Sequence, residues 1–130
     1  MKNEEHDIQK AICQYLDMRK VCYWAVPNGG NRSKREAGRL KAEGVKAGVP
    51  DITVINDGMY YGLEVKKPST STPKGYLSKV QKERIQHIEE VGGGTVKVVY
   101  SVADVILTFA DWGLDFETRW NLNETKLDNS

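Results

Sequence analysis

The chain has 130 residues, of which 39% are hydrophobic and 28% are charged, and its formal net charge is +1. This length and composition fit one globular, soluble domain with an ordinary core. No apolar run is long enough to span a membrane or to act as a signal peptide, so we expect a cytoplasmic protein. Cys13 and Cys22 are not spaced as metal ligands, and we expect them to be small buried residues.

The first part of the chain predicts a helix, a strand and a basic loop. Apolar residues recur at helical spacing from residue 4 to 19, which predicts an amphipathic helix. The β-branched and aromatic run at 21–26 predicts a strand that ends at Pro27. Glycines punctuate residues 28–48, and we expect a helical stretch within them from about Ser33 to Glu43.

Residues 48–67, GVPDITVINDGMYYGLEVKK, predict a β-hairpin. Asp57-Gly58 between two β-rich runs calls for a type I′ turn with positive φ at both positions. This turn fixes the register and places Asp51 directly opposite Glu64. Opposed residues in an antiparallel pair have Cβ atoms about 5 Å apart, so two acids in these positions repel each other.

Two explanations of the opposed acids are open. The end of the hairpin could be solvated, with Lys66 neutralising one acid, because Lys66 points to the same face as Glu64. Alternatively, a divalent cation lies between Asp51 and Glu64. Mg²⁺ is typically held by one or two carboxylates together with water and phosphate oxygens.

The second half of the chain predicts a loop, a helix, a strand and a last helix. Residues 68–75, PSTSTPKG, have the composition of an exposed loop. Residues 78–91 predict a helix that the glycines at 92–94 stop, with Ile85, Ile88 and Val91 on one face. Residues 96–100 predict a strand.

The order of elements predicts an α/β fold with a mixed β-sheet flanked by helices. Its last helix is expected to begin at a capping box formed by Ser101 and Asp104 and to end near Trp112. We find neither an internal repeat nor a linker that would divide the chain.

Charge is unevenly distributed along the chain. Residues 31–46 hold six cations and two anions, whereas residues 111–130 hold five anions and two cations. The basic segment is either a solvated face or a surface that contacts nucleic acid. Arginine forks match phosphate oxygens, and a glycine-rich backbone can approach them closely. The candidate DNA contacts are Asn28, Arg32, Lys34, Arg35 and Arg39.

Five sequence elements together resemble the VRR-NUC family of PD-(D/E)XK nucleases, small nucleases that occur free-standing in phages or fused to other domains. They are an early helix with Glu5-x-x-x-Gln9, PNGGNR at 27–32, GVPD at 48–51, EVKKP at 64–68 and GYLSKVQ at 75–81. The resemblance covers about residues 4 to 112. It implies a restriction-endonuclease-like core at 1–112, followed by a C-terminal extension at 113–130 for which contact with a second copy is one expectation.

The resemblance implies an endonuclease that uses Mg²⁺ or Mn²⁺ to hydrolyse DNA. The cation would be bound by Asp51 and Glu64, by the backbone carbonyl of Val65, and by Glu5 directly or through water. Lys66 would position and help to deprotonate the attacking water.

Two of the implied catalytic residues have simpler explanations. Glu5 lies in the first turn of a helix, where an acid favours the helix dipole. Gln81 follows Ser78 in an S-x-x-Q capping box, so it either caps its own helix or orients water or the scissile phosphate.

We further expect a homodimer that prefers branched DNA such as four-way (Holliday) junctions. One site cuts one strand, so paired incisions need two copies. Large apolar residues after Trp112 either contact the second copy or pack onto their own domain; they are Leu114, Phe116, Trp120, Leu122 and Leu127. A DNA-binding module that does not cut, or a nuclease subunit of a restriction or repair complex, are the alternative functions.

Overall fold

The computed structural model describes residues 4–28, 32–68 and 76–117, which form four helices and four strands. In chain order these are α1 (Glu4–Met18), β1 (Tyr23–Ala25), α2 (Lys34–Ala42), β2 (Ile52–Asn56), β3 (Met59–Val65), α3 (Lys79–Glu90), β4 (Thr95–Val99) and α4 (Val102–Asp111). Each element predicted from the sequence is present with bounds within about two residues. The loop predicted at 68–75 lies, apart from its first residue, outside the described residues.

The strands form one mixed sheet in the order β1-β2-β3-β4. β1 and β3 both pair antiparallel with β2, whereas β4 pairs parallel with β3 after the crossover through α3. Parallel neighbours need such a long connection, and a helix usually provides it. The predicted α/β fold with a mixed, helix-flanked sheet is therefore confirmed.

The predicted hairpin register is also confirmed. Asp57 and Gly58 have φ values of 51° and 78°, as a type I′ turn requires, and Asn56 pairs with Met59. Short polar residues such as aspartate tolerate positive φ better than most. β2 begins one residue after Asp51, so this acid lies immediately before the strand.

The alternation of side chains gives the sheet two different faces. The core face packs against α1 and α4, and its buried strand residues are Ile52, Val54, Leu63, Val65 and Val99. The opposite face, here called the α3 face, contains Thr53 and Glu64 and is partly covered by α3. Burial of these apolar chains stabilises the fold by about 2 kcal/mol per large side chain.

Three local predictions were wrong. Val91 is 72% exposed because it caps the C-terminus of α3 beyond its last turn. The Asp104 carboxylate accepts a hydrogen bond from the Tyr100 amide at 2.9 Å instead of returning to Ser101, although Ser101 Oγ accepts from the Asp104 amide as predicted. Cys22 is exposed, and both cysteines are free thiols.

The core continues past Trp112. Leu114 and Phe116 are buried, and Glu117 accepts hydrogen bonds from Tyr15 Oη at 2.6 Å and Arg19 Nη2 at 2.7 Å. For the two apolar residues, packing onto their own domain is thus the correct alternative. Trp120, Leu122 and Leu127 lie outside the described residues. Within the described ranges, no helix is both long and apolar enough to cross a membrane.

Candidate functional site

Asp51 and Glu64 lie close together on the α3 face, where β2 begins and β3 ends. Glu64 is only 1% exposed, so a solvated hairpin end does not explain this acid. Asp51 Oδ2 accepts a hydrogen bond from the Val65 amide at 2.8 Å, and its Oδ1 accepts from Asn28 Nδ2 at 3.3 Å. Both contacts hold the Asp51 carboxylate beside the end of β3.

The two oxygens of Glu64 have different surroundings. Oε1 accepts a hydrogen bond from Gln81 Nε2 at 2.8 Å and lies 4.0 Å from Lys66 Nζ. Oε2 is buried and has no hydrogen-bond partner. Buried polar atoms are normally hydrogen-bonded, so an unpaired carboxylate oxygen calls for an explanation.

The surroundings raise the pKa of Glu64 to about 8. Burial is the largest cause, because it disfavours the charged form, and repulsion from the Asp51 carboxylate adds to it. The Lys66 ammonium acts in the opposite direction and lowers the pKa. A buried acid with a strongly perturbed pKa next to a like charge is typical of functional sites.

A divalent cation fits these residues. It would give Glu64 Oε2 a partner and would offset the repulsion between Asp51 and Glu64, and two carboxylates are the hard oxygen ligands that Mg²⁺ and Mn²⁺ prefer. No cluster of three or more His, Cys, Asp and Glu side chains at metal-binding geometry occurs among the residues described. Further ligands would therefore come from backbone carbonyls, water or phosphate.

Gln81 caps its own helix and also contacts Glu64 in the candidate site. Its Oε1 accepts from the Ser78 amide at 2.9 Å, and Ser78 Oγ accepts from the Gln81 amide, which completes the capping box. Because Oε1 is occupied by the helix cap, the Nε2 group points to Glu64. The start of α3 thereby fixes the orientation of a side chain in the site.

Glu5 reaches the same region from the first turn of α1. Its Oε2 accepts from the Lys67 amide at 3.4 Å, and its charge contributes to the raised pKa of Glu64. Glu5 does not form a three-carboxylate cluster with Asp51 and Glu64. This position is compatible with the water-bridged form of its predicted role.

The loop before Asp51 is packed against the start of α3. A Cβ atom at Gly48 would lie 2.7 Å from the backbone oxygen of Val80, so only glycine fits here without a shift, and its φ of +80° also favours glycine. The Arg84 guanidinium donates to the carbonyl of Ala47 at 3.2 Å. These contacts bring Asp51 and Gln81 to one site.

Sequence reasoning assigned Asn28 to phosphate binding and missed its structural contacts. Its Nδ2 donates to the Val49 carbonyl at 2.8 Å as well as to Asp51. The sequence signal for this role was weak: Asn28 follows Pro27, which was predicted to end a strand, and only the structure shows that this strand pairs with β2. Residues 29–31 of the predicted phosphate-binding loop lie outside the described residues.

The candidate phosphate-binding cations are exposed on and before α2. Arg32 donates to the Pro27 carbonyl at 3.2 Å, and Arg39 pairs with Glu43 at 3.2 Å across one helical turn. Lys34 and Arg35 are exposed on α2, in which no residue is buried. A helix without a buried face leaves its cations available to a ligand.

Comparison with known proteins supports the fold. No family model matches the chain, and no curated protein matches its sequence. A solved structure described as a VRR_NUC domain protein matches with a TM-score of 0.63 and 23% sequence identity, over 85% of this chain and 88% of that chain. The likeness to the VRR-NUC family that the five motifs indicated is thus confirmed at the level of the fold: this chain has the α/β fold of a VRR_NUC domain.

Proposed function

We propose that the protein is a DNA endonuclease that hydrolyses phosphodiester bonds with Mg²⁺ or Mn²⁺. The observation that carries this proposal is the buried carboxyl group of Glu64, which has an unpaired Oε2 and is close to the charges of Asp51 and Lys66. Its setting is the fold of a VRR_NUC domain, and the basic segment begins close to it. The phosphate oxygens of a phosphodiester can bind a metal ion that the two acids hold, and they can also bind the exposed arginine and lysine side chains.

Asp51 and Glu64 Oε2 are the side-chain ligands that we assign to the cation, with the Val65 carbonyl as a backbone ligand and Glu5 acting through water. When bound, the cation would stabilise negative charge on the phosphate and lower the pKa of a coordinated water. Gln81 keeps Oε1 of Glu64 occupied, so Glu64 would present a single oxygen to the cation.

Lys66 is the residue that we assign to the attacking water. Its side chain is only 12% exposed, and its Nζ lies 4.0 Å from Glu64. In this position its positive charge can hold the water, favour the loss of a proton from that water to solvent, and offset the charge that develops on the phosphoryl oxygens.

The test of this function is cleavage by Asp51→Asn and Lys66→Ala variants. We expect each to lower cleavage in Mg²⁺ by about 10²–10⁴-fold, the range typical for loss of a catalytic acid–base or charge-stabilising group. The measurement uses a panel of single-stranded, duplex, flap and four-way-junction DNA with Mg²⁺, Mn²⁺ or EDTA.

Matched controls exist for both substitutions. Asp57→Asn makes the same chemical change in the exposed turn at the other end of the hairpin, where Asn tolerates positive φ, and Lys97→Ala removes an exposed lysine on β4. Both controls should cut as the wild type does. DNA binding without any metal-dependent cleavage by the wild type would instead favour the non-cutting module.

The basic segment should contribute a salt-dependent share of DNA affinity. Replacing Arg32 and Arg35 by alanine should weaken binding to all DNA sequences and reduce the log–log salt slope by about 1.8, because each lost phosphate contact removes about 0.9. Binding titrations over a range of salt concentrations measure this slope. A double variant with the wild-type slope would place the DNA surface elsewhere, and Lys10→Ala with Lys97→Ala provides the control of equal charge.

We further propose that a homodimer cuts four-way junctions with near-symmetric nicks. Support comes from the one candidate site that the described residues form, because paired incisions require two sites related by symmetry. Leu114 and Phe116 no longer support a dimer, since both are buried in their own domain. The apolar candidates that remain are Trp120, Leu122 and Leu127.

Light scattering at micromolar concentration should therefore give the mass of a dimer, and junction DNA should be cut faster than a linear duplex of the same sequence. A monomer mass with and without junction DNA would contradict the dimer. Equal cleavage rates for both substrates would contradict the junction preference and leave the nuclease proposal intact.

A further inference from the structure

Two neighbouring aromatic residues on β1 have opposite environments. Tyr23 is anchored on the side of α1, where its hydroxyl donates to Asp17 Oδ1 at 2.6 Å and lies 3.1 Å from the Cys13 carbonyl oxygen. Trp24 points to the other face of the sheet and is 52% exposed. An indole that leaves half of its surface in water gives up stabilisation that burial would provide.

Trp24 lies on the same face of the sheet as the candidate site. It pairs with Thr53 of β2, and Asp51 is two residues before Thr53, so side-chain alternation places all three on the α3 face. Strand geometry puts the Cα atoms of Trp24 and Asp51 about 8 Å apart. β1 is one of the two edge strands of the sheet.

The chain that follows Trp24 leads directly to the site and the cations. Val26 donates its amide to the Asp51 carbonyl at 2.8 Å, Asn28 holds the Asp51 carboxylate, and Arg32 bonds to the carbonyl of Pro27. A DNA strand with one phosphate at Asp51 would therefore lie close to the Trp24 indole and close to the start of the basic segment.

We propose that Trp24 is a stacking platform for an unpaired nucleobase next to the scissile phosphate. The proposal rests on the proposed function and deepens it by naming the substrate class: DNA with unpaired bases within about two nucleotides of the cut. This distance uses the rise of about 3.4 Å per nucleotide in duplex DNA, which is a lower bound for an unpaired strand. Bases inside a duplex are stacked on each other and offer no free face. Bases in single strands, flaps or open branch points do, and an indole accepts any of them because every base has a π-face.

Single exposed apolar residues are common and need no function by themselves. Trp24 differs from other exposed apolar residues in its position next to the candidate site, and Leu107 serves as the comparison. It is 65% exposed on α4, the helix that packs on the core face, away from Asp51 and Glu64. A Leu107→Ala variant therefore controls for loss of an exposed apolar side chain.

The test is a binding cycle that needs no cleavage. Fluorescence anisotropy in EDTA measures the affinity of wild type and Trp24→Ala for a duplex with a single-stranded arm, made once with normal bases and once with abasic residues at the positions next to the branch. We expect removal of these bases to weaken wild-type binding about tenfold and to have little effect on Trp24→Ala binding. Trp24→Phe should keep most of the affinity difference between the normal and the abasic arm, and Leu107→Ala should keep all of it.

Several results would overturn the proposal. If the losses from the abasic arm and from Trp24→Ala are additive, the indole does not contact a base. If Trp24→Ala binds both arms as the wild type does, Trp24 has no role in binding. A wild-type dimer that becomes a monomer in Trp24→Ala, seen by light scattering, would assign the residue to a protein interface. Binding is measured without metal, so its outcome does not depend on the cleavage assay. Loss of cleavage alone would reject the nuclease function, whereas loss of the base-dependent binding difference would reject the stacking role of Trp24.

Discussion

Replacing Glu64 by glutamine should abolish metal-dependent cleavage and, without metal, should make the folded protein more stable at pH 8. The pKa of Glu64 rises from 4.5 to about 8 on folding. The unfolded chain therefore ionises this group above about pH 4.5, whereas the folded protein holds the proton until about pH 8. Protonation of Glu64 favours the folded state of the wild type. This contribution to the free energy of unfolding is fully present below pH 4.5, falls as the pH rises, and is lost above about pH 8.

Glutamine has the same shape as the protonated acid and does not titrate, so the variant avoids this loss. Thermal unfolding in EDTA at pH 8 should show a melting temperature roughly 5 °C above that of the wild type, with a smaller difference at pH 5. Added Mn²⁺ should then raise the melting temperature of the wild type and leave the variant nearly unchanged, because the variant lacks one carboxylate ligand.

Glu83→Gln is the control for this experiment. Glu83 is an exposed residue on α3, where its carboxylate lies 3.9 Å from Lys79 Nζ, and the same change there should affect neither cleavage nor the response to metal. Wild-type cleavage by Glu64→Gln would show that the site is assigned to the wrong residue. A Glu64→Gln variant less stable than the wild type at pH 8 would show that the acid is ionised in the folded, metal-free protein.

Metal binding should depend strongly on pH. Because Glu64 holds a proton up to about pH 8 without metal, a cation that uses this carboxylate must displace the proton. The affinity for Mn²⁺ should therefore fall about tenfold for each pH unit below 8, since one proton is released for each ion bound. Titration calorimetry at pH 6 and 7, in buffers with different ionisation enthalpies, counts the released protons.

Lys66→Ala extends this prediction. The Lys66 ammonium lowers the pKa of Glu64, so its loss should raise that pKa further and move the affinity profile to higher pH. Lys97→Ala, an exposed lysine on β4, should leave the profile in place. Binding that is independent of pH and releases no proton would mean that the cation does not use the Glu64 carboxylate.

The hairpin shows how much of the fold the local sequence determines. A two-residue turn leaves one pairing, so Asp57-Gly58 determined the register and the opposition of Asp51 to Glu64. Helix bounds were equally predictable, because Ser33 and Ser78 accept hydrogen bonds within their own first turn. The start of α4 was less predictable, because the Asp104 side chain can accept a hydrogen bond from either of two neighbouring amides.

The candidate site was predictable as a set of residues and only partly as an arrangement. The sequence named Asp51, Glu64, Lys66 and Gln81, but it could not show that Gln81 caps its helix and contacts Glu64 at the same time. That dual role depends on where α3 crosses the sheet. The exposure of Trp24 and the hold of Asn28 on Asp51 depend likewise on how β1 lies beside β2.

The sequence by itself determined the elements and the register, because turn geometry, capping and side-chain alternation act over a few neighbouring residues. Its motifs indicated which residues form the candidate site. Only the tertiary structure decided that Glu64 is buried with one unpaired oxygen and a raised pKa, and that Phe116 packs into its own core. Burial and the approach of charges depend on segments that are far apart in the chain. Local patterns do not encode these distances, and the packing of helices on the sheet fixes them.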